Sequence, residues 1–497
     1  MGCNARKQEM NLPKPPSAEF AVFVDEYFDA LYATNPSQGT GMGFHQYDPK
    51  LEDVSAASVQ QRIQSLKTLL SRLEALRAGR LTQDEAIDAE VLNGQILSEL
   101  QELETLQSWK KNPIIYVGLP GGAIDALIKR DFAPPAERLK SVISRLKAIP
   151  AILKAMRQNV QNPPKEFTDL AIRVSGGSVG FFKETLAQWA KEAAGNDTTA
   201  FREFELANRA VIEAMTQSNA WLRKELAPKS KGNYAIGTES FSKKLLYEEL
   251  VNLPLDKILS IGEANLQKDY EAFLEAARKI NPAKPPAEVM KSVSSDHPNE
   301  KDLIPFAKRT VESIRQFLID KKIVSVPSEV RPTIMETPPY ARSGSYASMD
   351  TPGAYETKAT EAFYYVTPVE KEWDAKHKEQ HLRLFNAPVM DLITIHEAYP
   401  GHYVQFLFVK QFPTKTRKLI SCGTNVEGWA HYTEQMMLEE GFGKDNPKIR
   451  LAQLSEALLR DCRYIVGIKL HTQGMTVEEG AKFFIEKGFA EPAVAYE

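Results

Sequence analysis

The sequence predicts a mainly α-helical protein, and three observations support this fold class. Apolar residues recur at spacings of three and four, as in the stripe of Val59, Ile63, Leu66, Leu70 and Leu73. This is the periodicity of a helix that buries one face. Residue patterns that cap helices occur beside such stripes. Alternation of apolar and polar residues, which marks half-buried strands, is scarce.

Several helical features can be assigned in chain order. Thr82 and Glu85 have the spacing of a capping box, so a helix is expected to begin there. A later apolar stripe runs from Leu139 to Leu146 and is expected to be interrupted at Pro150, because proline has no backbone N–H to donate. The polar, proline-rich stretch 281–299 then predicts a linker or a long loop.

The segment 361–367 predicts a β-strand, because it is rich in aromatic and β-branched residues. At the edge of a sheet such a strand would offer backbone hydrogen bonds to a peptide, whereas a strand within a core-packing hairpin is an equally good interpretation. Thr476 and Glu479 predict a capping box that opens a helix ending near Gly488. A further helix is expected to begin at Glu491 and to be cut off at Glu497, so the chain is expected to be truncated at its C-terminus.

Length and composition exclude some classes of function. With 497 residues, of which 43% are hydrophobic and 26% charged, the chain can bury a substantial core. Its net charge of −3 gives no basic surface for nucleic acid, so no nucleic-acid partner is expected. No segment approaches the roughly 18 uninterrupted apolar residues that would span a membrane.

The cysteines give one hypothesis about location. The chain has three of them, too few and too scattered for a disulfide framework. The pair Gly2–Cys3 is similar to the lipid-attachment site of a bacterial lipoprotein, although the apolar region of a signal peptide is missing. An exported protein with a lipid anchor at Cys3 is therefore one interpretation.

The segment from His396 to His402 is the most informative stretch of the sequence. It places His396, Glu397 and His402 within seven residues, and a His-Glu pair followed by a second His is how helical zinc peptidases hold their metal and general base. The second His comes six residues after the first, so a straight helix would turn it about 240° away. Pro400 and Gly401 lie between them, and we expect a break there that returns His402 to the metal.

A third ligand is expected from Glu427. Two His and one carboxylate, with a fourth position left for water, form a common catalytic zinc set. Glu427 follows His402 by 25 residues, on what is predicted to be the next helix. His431 and Glu434 share its helix face, and either could instead be a ligand or a partner behind the ligands.

Three segments carry a resemblance to a known family: His396 to Gln405, Glu427 to Ala430, and Arg463 to His471. With weaker motifs earlier in the chain, they resemble the bacterial domain-of-unknown-function 885 family, which is itself similar to helical gluzincin-type metallopeptidases. The resemblance implies a large helical scaffold around a long cleft, with a small β element near the metal site. We expect an N-terminal tail at 1–20, a helical scaffold at 21–330 and a metal-binding catalytic region at 331–497.

The resemblance also implies a chemistry. One Zn²⁺ ion would be the cofactor and a peptide the substrate, with Glu397 as the general base. His471, placed by the family resemblance, is expected to stabilise the oxyanion, with Tyr403 and Tyr432 as further candidates. Arg463 would pair with a substrate carboxylate.

Two other classes of function stay open. One is a helical metal-binding protein without catalysis. The other is a serine hydrolase, because Gly176 to Gly180 match a nucleophile elbow centred on Ser178. That motif needs a strand before it and a parallel sheet beneath it, so a glycine-rich junction between helices is the preferred interpretation.

Overall fold

The computed structural model describes residues 17–343 and 345–496, and it is 71% helical with one small sheet. The predicted mainly α fold is therefore confirmed. No helix of these two ranges is long and apolar enough to cross a membrane. The hypothesis of a lipid anchor at Cys3 concerns a residue outside the described part of the chain.

Residues 17–321 form a helical scaffold. Its helices are α1 (Ala18–Thr34), α2 (Pro36–Gly41), α3 (Ala56–Arg77), α4 (Gln83–Leu100), α5 (Ser108–Lys111), α6 (Ile114–Ile128), α7 (Pro135–Asn159), α8 (Lys165–Lys183), α9 (Thr185–Ala194), α10 (Thr198–Trp221), α11 (Thr238–Glu249), α12 (Leu255–Ile280), α13 (Pro286–Ser294) and α14 (Leu303–Lys321). One core lies between α6, α7, α8 and α10, where Leu146, Phe181 and Val211 are fully buried. The capping box at Thr82 opens α4 as predicted.

Two scaffold segments differ from the sequence prediction. Helix α7 continues through Pro150, because the apolar side chains on both sides of it, Ile149 and Ile152, are buried in the core. That packing outweighs the loss of one backbone hydrogen bond. The predicted linker at 281–299 contains α13, whose Val289 and Val293 pack into a hydrophobic cluster with α12.

A three-stranded sheet follows the scaffold. Its strands are β1 (Thr333–Glu336), β2 (Ala347–Asp350) and β3 (Phe363–Val366), in the order β1-β3-β2. Strand β3 is parallel to β1 and antiparallel to β2. The predicted strand is thus confirmed, and of its two possible positions the structure shows the one inside the core. All four residues of β3 are buried and it takes the central position, so β1 and β2 are the two edge strands.

The C-terminal third adds a second group of helices. They are α15 (Ala375–Arg383), α16 (Ala387–Glu397), α17 (His402–Val409), α18 (Lys415–Leu419), α19 (Gly423–Glu439), α20 (Pro447–Thr472), α21 (Val477–Lys487) and α22 (Pro492–Ala495). The capping box at Thr476 and the helix end at Gly488 agree with the prediction for α21. Helix α16 is fixed by a core in which its Met390 and Leu392 pack with Ile314 of α14 and Tyr364 of β3.

Ion pairs join the N-terminal helices to the C-terminal third. The side chain of Arg417, in α18, lies 2.9 Å from Asp84 and 2.8 Å from Asp88, both in α4. Nε2 of His45 lies 2.9 Å from the carboxylate of Glu356. These contacts cross residue 330, and the predicted division of the chain at that point stays a prediction.

The edge strand β2 is held at one end by the scaffold. Lys129 and Arg130, at the end of α6, both form ion pairs with Asp350, the last residue of β2. The guanidinium of Arg130 also donates to the carbonyl groups of Asp350 and Glu361. Strand β2 is therefore fixed along one side by β3 and at its Asp350 end by the scaffold.

Candidate metal centre

The candidate metal centre is built around a break between α16 and α17. Helix α16 ends at Glu397, and α17 begins at His402. Pro400 has no N–H, so the backbone cannot continue the helical ladder through it. The peptide bond before Pro400 is cis, and the N–H of Gly401 returns to the carbonyl of Ile395 at 3.0 Å. The predicted break is confirmed.

Gly401 allows the two helices to approach closely. A Cβ atom at this position would lie 1.7 Å from the carbonyl oxygen of His396 and 2.5 Å from that of Ile395. No side chain larger than hydrogen fits without moving that backbone. Pro400 therefore interrupts the helix, and Gly401 allows the backbones on the two sides of the break to approach closely.

The break brings both imidazoles to Glu427. The ring centroids of His396 and His402 are 4.8 Å apart, and each Nε2 faces the Glu427 carboxylate, at 3.4 and 3.7 Å. Two ligand atoms each about 2.1 Å from a tetrahedral zinc ion lie about 3.4 Å from one another. The predicted convergence of the three side chains is therefore present, and its spacing fits zinc.

A second carboxylate lies beside the same imidazoles. One oxygen of Glu397 and one nitrogen from each of His396 and His402 lie within 4.8 Å of one another. Glu397 directly follows His396 in the chain and is 8% exposed. Glu427 lies across the gap, with its carboxylate oxygens 3.4 and 3.7 Å from the two Nε2 atoms, so both carboxylates are candidates and Glu427 stays the predicted third ligand.

Glu434 supports His396 from behind. Nδ1 of His396 lies 2.8 Å from Oε1 of Glu434, which fixes the ring and leaves Nε2 directed at Glu427. Glu434 is fully buried and pairs with Arg460 at 3.1 Å, and Arg460 also pairs with Glu456 at 2.6 Å. Of the two alternatives that the sequence left open, Glu434 is thus a partner behind the ligand. His431 reaches Glu434 at 3.4 Å and lines the cavity in front of the site.

The charges of these groups reflect their surroundings. Burial lowers the pKa of His396, but hydrogen bonds to Glu427 and Glu434 outweigh it and raise the value to about 9. Burial and the neighbouring His396 lower the pKa of His402 to about 4. The pKa of Glu434 falls to about 2, because Arg460 and His396 overcome its desolvation. The hydrogen bond to His396 also lowers the pKa of Glu427, so both carboxylates are anionic at neutral pH.

Glu397 has the environment of a general base. It is 8% exposed, and burial raises its pKa to about 7. Its carboxylate lines a cavity of about 820 Å³ that also contains His396, His402 and Glu427. The backbone of Met349, in the edge strand β2, lies beside this carboxylate and opposes the rise in its pKa. The candidate metal ligands, the candidate base and the sheet edge thus share one cavity.

Three predicted residues lie elsewhere. His471 follows Arg460 by 11 residues along α20, about 16 Å, and its ring lies beside Tyr234 and Phe241 rather than in the cavity. The hydroxyl of Tyr403 is buried and donates to the carbonyl of Val330. Tyr432 is 55% exposed and is outside the cavity. These positions correct the predicted oxyanion and substrate-binding roles of all three residues.

Arg463 lines the cavity as predicted, and Arg460 was missed. Arg460 lies one turn before it on α20 and contacts the carboxylate that supports His396. A signal for it was present in the sequence, because Glu456 and Arg460 are four residues apart in an otherwise apolar helix segment.

The residues around Ser178 form neither the nucleophile elbow that was kept as an alternative nor the preferred junction between helices. Residues 176–180 lie inside α8. Ser178 is fully buried, and its hydroxyl donates to the carbonyl of Val174 within the same helix. A nucleophile on a helix face in the core has no access to substrate.

The chain is similar to one protein family and to solved structures over most of its length. A family model described as "Bacterial protein of unknown function (DUF885)" matches residues 36–497. A solved structure from Shewanella oneidensis, described as a "putative lipoprotein of unknown function", is 26% identical; the alignment covers 96% of this chain and 88% of that one, with a TM-score of 0.75. A "putative lipoprotein" from Colwellia psychrerythraea is 15% identical over 96% and 87% of the two chains, with a TM-score of 0.77, which is a likeness of fold. No curated protein matches.

Proposed function

The chain belongs to the bacterial DUF885 family, whose function is unknown, and we propose that it is a zinc-dependent hydrolase that cleaves peptide (amide) bonds in small or unfolded peptides. The observation that carries this proposal is the convergence of His396, His402 and Glu427 in front of a buried Glu397. A structural zinc site is normally closed by four protein ligands, whereas a three-ligand set beside a cavity suits catalysis.

His396, His402 and Glu427 would hold one Zn²⁺ ion. When bound, zinc supplies a Lewis acid that polarises the scissile carbonyl and lowers the pKa of water. Glu434 contributes indirectly, because its hydrogen bond to Nδ1 of His396 orients the ring and increases its basicity.

Glu397 would accept a proton from the attacking water and deliver it to the leaving amine. A general base works best when its pKa is close to the working pH, and the pKa of Glu397 is about 7. The carboxylate lies beside the backbone of Met349 and lines the cavity.

The cavity also suits an extended peptide. Ala347, Ser348 and Met349 of the edge strand β2 line it. One side of β2 pairs with β3, so the other side can pair with a peptide backbone. Arg463 would then be placed to meet a substrate carboxylate.

The test combines metal analysis with a single substitution. Purified protein should contain about one zinc per chain and should release new amino groups from a mixture of short peptides. Glu397→Gln should reduce turnover by about 10²-fold to 10⁴-fold while the zinc content is unchanged. Glu440→Gln, which changes an exposed carboxylate at the end of α19, is the matched control.

Other outcomes would contradict the proposal. Full hydrolysis by Glu397→Gln would refute the assigned mechanism. One zinc per chain without turnover of any peptide would instead indicate a metal-binding protein without catalytic activity. Activity that survives a chelator and is lost in Ser178→Ala would indicate the serine hydrolase, against the buried position of that residue.

We further propose that the protein is exported and anchored by a lipid at Cys3. Support comes from the Gly2–Cys3 pair and from the 26% identical relative described as a lipoprotein. Labelling of expressing cells with a fatty-acid analogue should mark the natural protein and not its Cys3→Ser variant. Equal labelling of both would refute the anchor.

A further inference from the structure

A second pocket opens beside the metal-site cavity. It has a volume of about 530 Å³ and shares two of its walls, Phe406 and Val426, with that cavity. Its other lining residues come mainly from the region between α17 and α19 and from residues 351–354 after β2. A substrate held at the metal centre could therefore extend into this pocket.

One face of α17 leads from the metal site into the pocket. His402 and Phe406 of α17, and Lys410 directly after its last residue, are spaced by four residues and follow one another along one side of the helix. The ring of Phe406 stacks on that of His402 at a centroid distance of 5.9 Å. Lys410 lies about 12 Å from His402 along the helix axis, which is the length of three to four extended residues.

The pocket is positively charged. Of the described residues that line it, three are cations, Lys410, Arg417 and Lys418, and none is a carboxylate. Arg417 is neutralised by Asp84 and Asp88. Lys418 lies over the ring of Tyr355 at 5.8 Å. Within 17–343 and 345–496, neither lysine has a carboxylate within the 4.0 Å of an ion pair.

Lys410 is the less hydrated of these two lysines. It is only partly exposed, and burial lowers its pKa. Glu356 acts on it from beyond ion-pair distance and opposes that effect, while Arg130 adds to it. A half-buried ammonium without a close partner is stabilised by any anion that reaches it. The surrounding walls are apolar and aromatic, with Phe408, Phe412 and Trp429 among them.

We propose that this pocket binds a carboxylate of the substrate, within about four residues of the scissile bond, through Lys410. The assignment of the ligand as a substrate rests on the proposed hydrolase function. The carboxylate could come from the C-terminus of a peptide or from an acidic side chain. In either case a neighbouring apolar group of the substrate would pack on Phe406. A C-terminal source would make the protein trim peptides from that end.

Binding is measured on full-length Glu397→Gln protein loaded with zinc, by calorimetry, so that no peptide is consumed. The probes are a hexapeptide ending in Phe as free acid, the same peptide as C-terminal amide, and two further amides that carry Glu or Gln next to Phe. The free acid should bind about tenfold or more tightly than its amide if the C-terminus is recognised. The Glu peptide should show that preference over the Gln peptide if a side chain is recognised.

Variants at Lys410 decide whether the pocket is responsible. Lys410→Met should remove the preference for the carboxylate, and Lys410→Arg should retain most of it. Lys444→Met, which changes an exposed lysine after α19, should have no effect. A purely structural role of Lys410 would weaken the binding of acid and amide alike.

Two results would overturn the inference. One is the absence of any carboxylate preference, whether the peptides bind equally or do not bind. The other is a preference that persists in Lys410→Met. Turnover by zinc-loaded wild-type protein is measured separately, and carboxylate-selective binding without turnover would refute the hydrolase proposal while leaving the carboxylate site in place.

Discussion

Substitution of Gly401 by alanine should remove metal binding without removing the fold. The added Cβ would lie 1.7 Å from the carbonyl oxygen of His396, 2.4 Å from its carbonyl carbon and 2.5 Å from the carbonyl oxygen of Ile395. All three neighbours are backbone atoms, so no side-chain rotation can relieve the overlap. The backbone that carries one of the two histidines must therefore move.

The size of that movement follows from the contact distances. Ordinary van der Waals contact begins at 3.4 Å, so the closest pair must separate by about 1.7 Å. Zinc–ligand distances tolerate errors of only about 0.2 Å. Even if both helices share the movement, His396 and His402 can no longer reach one ion together. We expect zinc affinity to fall by about 100-fold or more, beyond the 10-fold to 100-fold typical of changes behind the ligands.

Competition with a coloured chelator measures the zinc affinity of purified Gly401→Ala and of wild-type protein, and circular dichroism shows whether the helices remain. The matched control is Gly428→Ala, next to Glu427 on α19, where a Cβ meets no atom within 4 Å. That variant should bind zinc within about twofold of wild type, as expected for a substitution into open space. A folded Gly401→Ala protein with wild-type zinc affinity would refute the reasoning about the break.

Three further predictions concern other parts of the structure. Glu434→Gln should weaken zinc binding by about 10-fold to 100-fold, because it loses the charge behind His396; an unchanged dissociation constant would contradict that support. Burial raises the pKa of Asp391 from 3.8 to about 7, so the folded state binds this proton more tightly than the unfolded state and stability falls as pH rises from about 4 to 7. Asp391→Asn should therefore match wild type in urea unfolding near pH 4 and be about 2 to 4 kcal/mol more stable at pH 8. Identical unfolding curves of the two proteins at both pH values would refute the buried charge. Glu249 accepts hydrogen bonds from the N–H groups of Gly423 and Thr424 at 3.1 and 2.9 Å, at the start of α19. Glu249→Ala should therefore lower the free energy of unfolding by about 1 kcal/mol. An unchanged unfolding midpoint would show that this cap does not stabilise the protein.

The features that the sequence predicted correctly are local ones. The break between α16 and α17 follows from the chemistry of Pro400 and Gly401, which acts on the backbone within one turn. The capping boxes at Thr82 and Thr476 depend on residues three positions apart. Glu427 is not local to this break: its residue type made it a candidate ligand, which stays a prediction, and the packing of α19 brings its carboxylate to both imidazoles.

The features that the sequence missed depend on distant packing. His471 shares α20 with Arg460, and only the packing of that long helix decides which of its turns faces the cavity. The position of strand β3 was left open between an edge and a core-packing hairpin, and its four residues form an unbroken run of buried apolar and aromatic side chains. Such a run is typical of a strand covered on both faces, and it is the signal that could have indicated the central position.

The indole N–H of Trp429, on the helix that carries Glu427, donates to the carbonyl of Pro400 at 3.0 Å. Indole fluorescence responds to the polarity and hydrogen bonding around the ring, so Trp429 can report on the break between α16 and α17. The chain has five tryptophans, and the other four lie outside the cavity and the adjoining pocket. In a variant in which Trp429 is the single tryptophan, intrinsic fluorescence can therefore follow assembly of the candidate site without a label or a substrate.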